Sequence, residues 1–180
     1  MTQHQGKQRA VFLDRDGVIN RDRPDYVKST EEVVLLPGAI EAIARLSRAG
    51  WSAVIISNQA GVGKGVIPEH AVNEIHTQLT AAVKAAGGRI DGVYYCPHRE
   101  EEGCGCRKPR AGLLLQAAND LALELAGSYL IGDRLRDIGA ARAAGVVPIL
   151  VGKKSWAGGP RPALEVGSLA EATDWILARQ

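Results

Sequence analysis

The chain has 180 residues, a formal net charge of +2 and 46% hydrophobic residues. That length suits one domain able to bury a core without staples, and so small a charge gives no electrostatic case for a nucleic-acid or membrane partner. Aromatics make up only 4%, while Ala, Leu, Val and Gly dominate, which favours helices on parallel strands over an all-β sandwich.

No apolar run approaches the ~20 residues that a spanning helix needs. Residues 1–9 are polar and lack the apolar centre of a signal peptide. They read as a tail over residues 1–8, and a cytoplasmic monomer is expected.

In chain order, Ala10 to Leu13 is a short apolar run of the kind that forms a buried strand. It stops at Asp14 and Asp16, followed by Gly17. Arg21 to Glu32, charged and interrupted by Pro24, is expected to be a flap, and Val33 to Leu36 a small strand. Pro37-Gly38 opens a helix with Ile40, Ile43 and Leu46 on one face, ending at Gly50. Trp51 to Ser57 is a second buried strand, followed by Asn58-Gln59 and the glycine-rich loop Ala60 to Gly65.

A long helix comes next, with Pro68 in its first turn and Val72, Ile75, Leu79 and Val83 at helical spacing. Ile90 to Tyr95 is a third strand. A helix is expected over Ala111 to Leu125, a fourth strand over Ser128 to Ile131, a helix over Leu135 to Ala144 and a fifth strand over Val146 to Val151. Gly152 to Gly167 reads as loop. Ser168 with Glu171 forms a capping box for a last helix to Ala178.

Alternating strands and helices imply a doubly wound α/β fold, with a parallel sheet and helices on both faces. All strand ends in such a sheet share one edge, where ligands bind. Asp14 and Asp16, Ser57 and Asn58, and Asp133 therefore converge. The carboxylates of Asp14, Asp133 and Asp137 suit a hard cation such as magnesium. A hydroxyl, an ammonium and turn amides beside them suit phosphate oxygens. That inventory fits phosphoryl transfer, in which positioning and charge neutralisation dominate.

Asp14-Arg-Asp-Gly17, Ser57-Asn58-Gln59, Lys108 and Gly132-Asp-Arg-Leu-Arg-Asp137 resemble the four motifs of the haloacid dehalogenase superfamily of phosphatases, in the family's order. The resemblance implies a Rossmann-like sheet with Asp14 as nucleophile and Asp16 as general acid and base. It implies Mg2+ on Asp14, the backbone carbonyl of Asp16 and Asp133, with Asp137 in support, and Ser57 and Lys108 on the phosphoryl oxygens. An acid two residues after the nucleophile separates the superfamily's phosphatases from its dehalogenases. Val18 and Ser57 stand where many members have Thr. No insertion is long enough for a separate cap domain.

Cys96, His98, Cys104 and Cys106 offer three thiolates and an imidazole within eleven positions. They complete a closed tetrahedral shell for structural zinc, in a loop over 96–106. An odd count of three cysteines is a poor disulfide framework. This loop, running into Arg107-Lys108-Pro109, resembles a small branch of the superfamily. The branch holds the D,D-heptose 1,7-bisphosphate 7-phosphatases and the histidinol-phosphate phosphatases, and the loop length suits either.

The closer resemblance is to the heptose enzymes, and implies removal of the 7-phosphate in nucleotide-activated heptose and lipopolysaccharide core synthesis. It places Arg15, the flap at Asp22, Asp25 and Tyr26, the second loop at Asn58, Gln59 and Ala60, and Arg107 and Arg134 against the substrate. The alternative for the two arginines is a solvated surface position. Histidinol phosphate is the alternative substrate, and a zinc-knuckle nucleic-acid module the alternative class, opposed by the low charge and the lack of aromatics beside the cysteines. Lys64 lacks the rest of a phosphate-loop pattern. His4, His70 and His76 read as surface residues, and Trp51, Trp156 and Trp175 as packing residues.

Overall fold

The computed structural model describes residues 8–152 and 159–180. His4, Trp156, most of the tail and part of the loop after the fifth strand lie outside them. Six strands form one parallel sheet: β1 (Gln8–Leu13), β2 (Ser52–Asn58), β3 (Gly92–Cys96), β4 (Leu123–Gly132), β5 (Val147–Val151) and β6 (Leu164–Val166). Their order is β3-β2-β1-β4-β5-β6. The order reverses direction at β1, so the crevice at its carboxyl end is the topological switch point.

The helices are α1 (Ala39–Arg48), α2 (Ala60–Gly63), α3 (Glu69–Ala85), α4 (Gly112–Asp120), α5 (Leu135–Ala144) and α6 (Leu169–Leu177). Strand periodicity of two sorts the core into two layers. Val11, Leu13, Ala53 and Ile55 face α1, α3 and α6, meeting Ile43, Leu46, Ile75, Leu79 and Ile176. Ala10, Phe12, Val54 and Ile56 face α4 and α5, meeting Leu113, Leu114, Ala117 and Ala140. Removing the Phe12 side chain from the second layer would cost about 3–5 kcal/mol.

Trp51 and Trp175 each meet Tyr129 edge-on, with centroids 5.4 and 6.0 Å apart, so both are packing residues. Among the described residues no helix is long and apolar enough to cross a membrane.

Several expected elements change. Val33 to Leu36 forms no strand, only a single bridge between Asn20 and Leu35. The glycine-rich loop begins as the one-turn α2. The helix expected to Leu125 stops at Asp120, because Ala122 takes a left-handed φ of 52° and Leu123 joins β4. The register of β4 against β1 then shifts between Arg9 and Val11, so the strand runs past the irregularity around Gly127, whose φ is 75°. β6 lies in the stretch expected to be loop. The side chain of Ser168 accepts a hydrogen bond from the Glu171 amide, as the capping box requires.

Candidate active site

β1, β2 and β4 bring three motifs to one edge. Lys108 arrives from the loop before α4 and is fixed by Asn58 at the end of β2. The Asn58 side chain donates to the Lys108 carbonyl and accepts from the Lys108 amide, each at 3.1 Å. The ammonium of Lys108 lies 3.0 Å from Asp14 Oδ1 and 2.6 Å from Asp137 Oδ1, and it donates to the Ile56 carbonyl at 2.8 Å. All three charged side chains are buried. Burial opposes the charge on Lys108, but Asp137 and Asp14 more than offset it and raise its pKa, so the ammonium persists.

Asp14, Asp133 and Asp137 bring their carboxylate oxygens within 4.8 Å of one another. Burial, and then repulsion from Asp137, pushes Asp14 up to about 7 despite Lys108. Asp14 and Asp137 thus share one buried ammonium, and the third buried carboxylate, Asp133, lies 3.1 Å from the half-exposed Arg134 guanidinium. The excess negative charge on hard oxygen donors fits a divalent cation such as magnesium. Gly17 has a φ of 86° and lets the Asp14–Gly17 turn abut Asp133, whose Cγ would lie 2.5 Å from an added Cβ.

Asp16 has different surroundings. Its carboxylate pairs with Arg15 at 2.9 Å and accepts from Asn20 and Gln59, each at 2.9 Å. Burial pushes Asp16 up, but the Arg15 guanidinium and the hydrogen bonds outweigh it, and the carboxyl sits below its ordinary value. Gln59 also donates to Ser57 Oγ at 2.7 Å and accepts from Arg15 at 3.1 Å. One amide therefore ties the ends of β1 and β2 together.

A cavity of about 210 Å³ opens beside these groups, lined by Arg15, Asp16, Asp22, Tyr26, Asn58, Gln59, Ala60 and Arg107. Asp25 is not among its walls; it lies exposed, paired with Arg23 at 3.1 Å and Lys28 at 2.6 Å. Nor does Arg134 line it, because its guanidinium is held by Asp22 at 2.6 Å as well as by Asp133. Arg23, Lys64 and Arg136 also line the cavity, as do Glu100 and Glu101. The sequence motifs do not single out Arg23 or Arg136. Lys64 bonds the Tyr26 hydroxyl at 2.9 Å, which ties the flap to the end of α2.

Cys96, His98, Cys104 and Cys106 cluster, with Sγ–Sγ and Sγ–Nδ1 separations of 3.2–3.5 Å. Those separations are far too long for a disulfide. They approach the roughly 3.7 Å between ligands that tetrahedral zinc bonds of about 2.0–2.3 Å set, so the residues fit zinc. His76 does not sit on the surface as expected; it is 5% exposed, and burial, reinforced by Arg15, lowers its pKa to about 4. Its signal was available: it stands four residues after Val72 and three before Leu79, on the apolar stripe of α3.

This geometry agrees with what the chain resembles. A HAD-hydrolase-like family model matches residues 105–172. The D-glycero-beta-D-manno-heptose-1,7-bisphosphate 7-phosphatase of Bordetella bronchiseptica is 41% identical over 163 residues, 91% of this chain and 89% of that protein. The chain belongs to the haloacid dehalogenase superfamily of phosphatases. The phosphatase of the same name from Pseudomonas putida is 43% identical over 78% of this chain and 81% of that one.

Among solved structures of the superfamily, the D,D-heptose 1,7-bisphosphate phosphatase of B. bronchiseptica, complexed with magnesium and phosphate, superposes with a TM-score of 0.88. It is 36% identical over 96% of this chain and 100% of that one. The Burkholderia thailandensis enzyme gives 0.71 at 32% identity, covering 95% and 99%. As a phosphatase of this superfamily, the protein hydrolyses a phosphate ester, which sets aside a non-enzymatic zinc knuckle.

Proposed function

We propose that the protein is a magnesium-dependent phosphatase that removes the 7-phosphate of D-glycero-β-D-manno-heptose 1,7-bisphosphate. The observation that carries the chemistry is the separation of two adjacent acids. Asp14 is buried against Lys108, and Asp16 is held apart by Arg15, Asn20 and Gln59. The substrate reading rests on relatives of that activity at about 40% identity over most of the chain. It also rests on a cavity wall rich in cations.

Asp14 attacks phosphorus, and the bond from phosphorus to the sugar oxygen breaks as Asp16 delivers a proton to that oxygen. Water then attacks the aspartyl phosphate and gives its proton to Asp16, which restores the acid and frees phosphate. Ser57 and Lys108 hold the phosphoryl oxygens. Asp14, the Asp16 carbonyl and Asp133 would hold magnesium, with Asp137 in support, and the bound ion would supply neutralisation of charge on the phosphoryl oxygens.

In the resting arrangement Asp16 is a carboxylate bound to Arg15. An incoming phosphate dianion competes for Arg15 and repels Asp16, which raises the Asp16 pKa and prepares it as an acid. Cys96, His98, Cys104 and Cys106 would hold zinc, which would fix the path of the loop into Arg107 and Lys108. Free thiols in this number suit a reducing cytoplasm, where a soluble sugar phosphate is the partner and a monomer suffices.

Phosphate release from the β and α anomers of the heptose bisphosphate and from histidinol phosphate, with magnesium, tests the reading. The β anomer is expected to give the highest kcat/KM, and Asp14→Asn to abolish turnover. A preference for histidinol phosphate, or turnover that survives Asp14→Asn, would overturn it.

A further inference from the structure

α2 follows Gln59 and ends at Gly63, and two consecutive carbonyls of the cysteine loop hold both of its ends. The Gln59 amide donates to the Cys96 carbonyl at 2.7 Å, and the Gly63 amide to the Pro97 carbonyl at 2.9 Å. The first bond continues the β2–β3 ladder one step past its last pair, Asn58 with Cys96. The second depends on the lack of a side chain. An added Cβ at Gly63 would lie 2.7 Å from the Pro97 oxygen and 3.2 Å from Arg99 Cγ and N. A backbone oxygen yields to such a contact only if the loop moves. Gly63 is exposed and is not among the residues that line the cavity, so contact with substrate does not explain the fit.

Gln59, at the start of α2, links this fit to the chemistry. Its side-chain amide donates to Asp16 Oδ2 at 2.9 Å and to Ser57 Oγ at 2.7 Å, and accepts from Arg15 at 3.1 Å. On the functional reading above, we infer that Gly63 is a positioning residue for the general acid: its bare backbone lets Cys96 and Pro97 fix α2, and α2 holds Gln59 against Asp16. Lys108 is fixed separately, by the Asn58 side chain. The loop therefore serves two halves of the reaction through two contacts. One aligns the proton donor for the leaving oxygen, and the other aligns the cation on the phosphoryl group.

Leaving groups separate these halves. A sugar alkoxide needs the Asp16 proton to depart, whereas the phenolate of p-nitrophenyl phosphate leaves without it. The test compares kcat/KM on the heptose bisphosphate and on p-nitrophenyl phosphate in wild type, Asp16→Asn, Gly63→Ala, Gln59→Ala and the Gly63→Ala/Gln59→Ala double variant. Gly63→Ala should lose about 10- to 100-fold on the sugar phosphate, the scale of a misplaced catalytic group, and less than about threefold on the aryl phosphate. Added to Gln59→Ala it should cost less than about twofold more, because both changes act on one path. Its zinc content should match wild type, since no ligand is altered.

Equal losses on the two substrates, additive losses in the double variant, or zinc lost from Gly63→Ala would overturn the inference and leave the phosphatase reading standing. An Asp16→Asn variant without the same split between substrates would overturn the acid role, and the inference with it. If Gly63→Ala does not fold, Gln59→Ala decides: a split between the substrates supports the path to Asp16, and its absence overturns it.

Discussion

Replacing Lys108 with Met should destabilise the metal-free protein strongly and in a pH-dependent way. The ammonium is 1% exposed and stands between Asp14 at 4% and Asp137 at 0%. Removing it leaves two carboxylates buried without their common counter-charge. Breaking a buried ion pair in this way costs about 3–5 kcal/mol, a large share of a typical stability of about 5–15 kcal/mol. For a chain of this length that corresponds to a fall of about 6–20 °C in melting temperature.

The sign of the pH dependence follows from Asp14, which is raised from 3.8 to about 7. Its neutral form is the one the fold accepts. The stability linked to it is therefore full below pH 3.8 and is lost as pH rises through about 7. Without Lys108, burial and Asp137 act unopposed, so the deficit of the variant should be larger at pH 8 than at pH 5.

Urea unfolding of wild type and Lys108→Met at the two pH values, in chelator, measures this. Adding Asp14→Asn to Lys108→Met should restore part of the stability at pH 8, because one uncompensated charge disappears. A loss below about 1 kcal/mol, equal losses at both pH values, or a double variant weaker than the single would refute the reasoning, given the threshold for core ion pairs.

Three other outcomes are expected. Removing zinc with a strong chelator, or Cys104→Ser, should lower the melting temperature by several degrees and raise KM more than it lowers kcat; unchanged melting would contradict a structural role. Gly17→Ala places a side chain at a φ of 86° and against Asp133. It should cost at least about 1–2 kcal/mol and raise the magnesium needed for half-maximal activity, and an unchanged magnesium dependence would count against the metal site.

His76, lowered from 6.5 to about 4, contributes stability that is present above pH 6.5 and lost as pH falls through about 4. At roughly 1.4 kcal/mol per pH unit the loss approaches about 3 kcal/mol. His76→Gln should flatten the pH profile of unfolding in that window, and an equally steep profile in the variant would refute the burial argument.

The convergence of the chemical residues was readable because parallel strands bring their ends to one edge, whatever separates them in sequence. Asp14, Lys108 and Asp137 meet there, and Gln59 joins Ser57 to Asp16. What escaped depends on pairing in three dimensions. Arg134 and Arg136 share a motif, and only the approach of Asp22 decides which guanidinium stays unengaged. Asp25 sits in the flap with Asp22, but Arg23 and Lys28 turn it into a surface cluster.

Secondary structure failed where local propensity and tertiary pairing disagree. Leu-Glu-Leu-Ala at 123–126 favours helix, yet Gln8 and Arg9 recruit its first residues into the sheet. β6 is too short, at three residues, to raise a periodic signal beside its glycines and prolines.

β1 carries Asp14 at its end and sits between β2 and β4. It is translated before one of its neighbours, Leu123–Gly132, by more than a hundred residues. A nascent polypeptide therefore carries its reactive aspartate without the frame that gives it purpose. Lys108 is already made when β4 begins, but the acids at Asp133 and Asp137 follow only after it. Catalytic competence thus waits on β4 and the acids that follow it, and C-terminal truncations before β4 would yield inert fragments rather than weak enzymes.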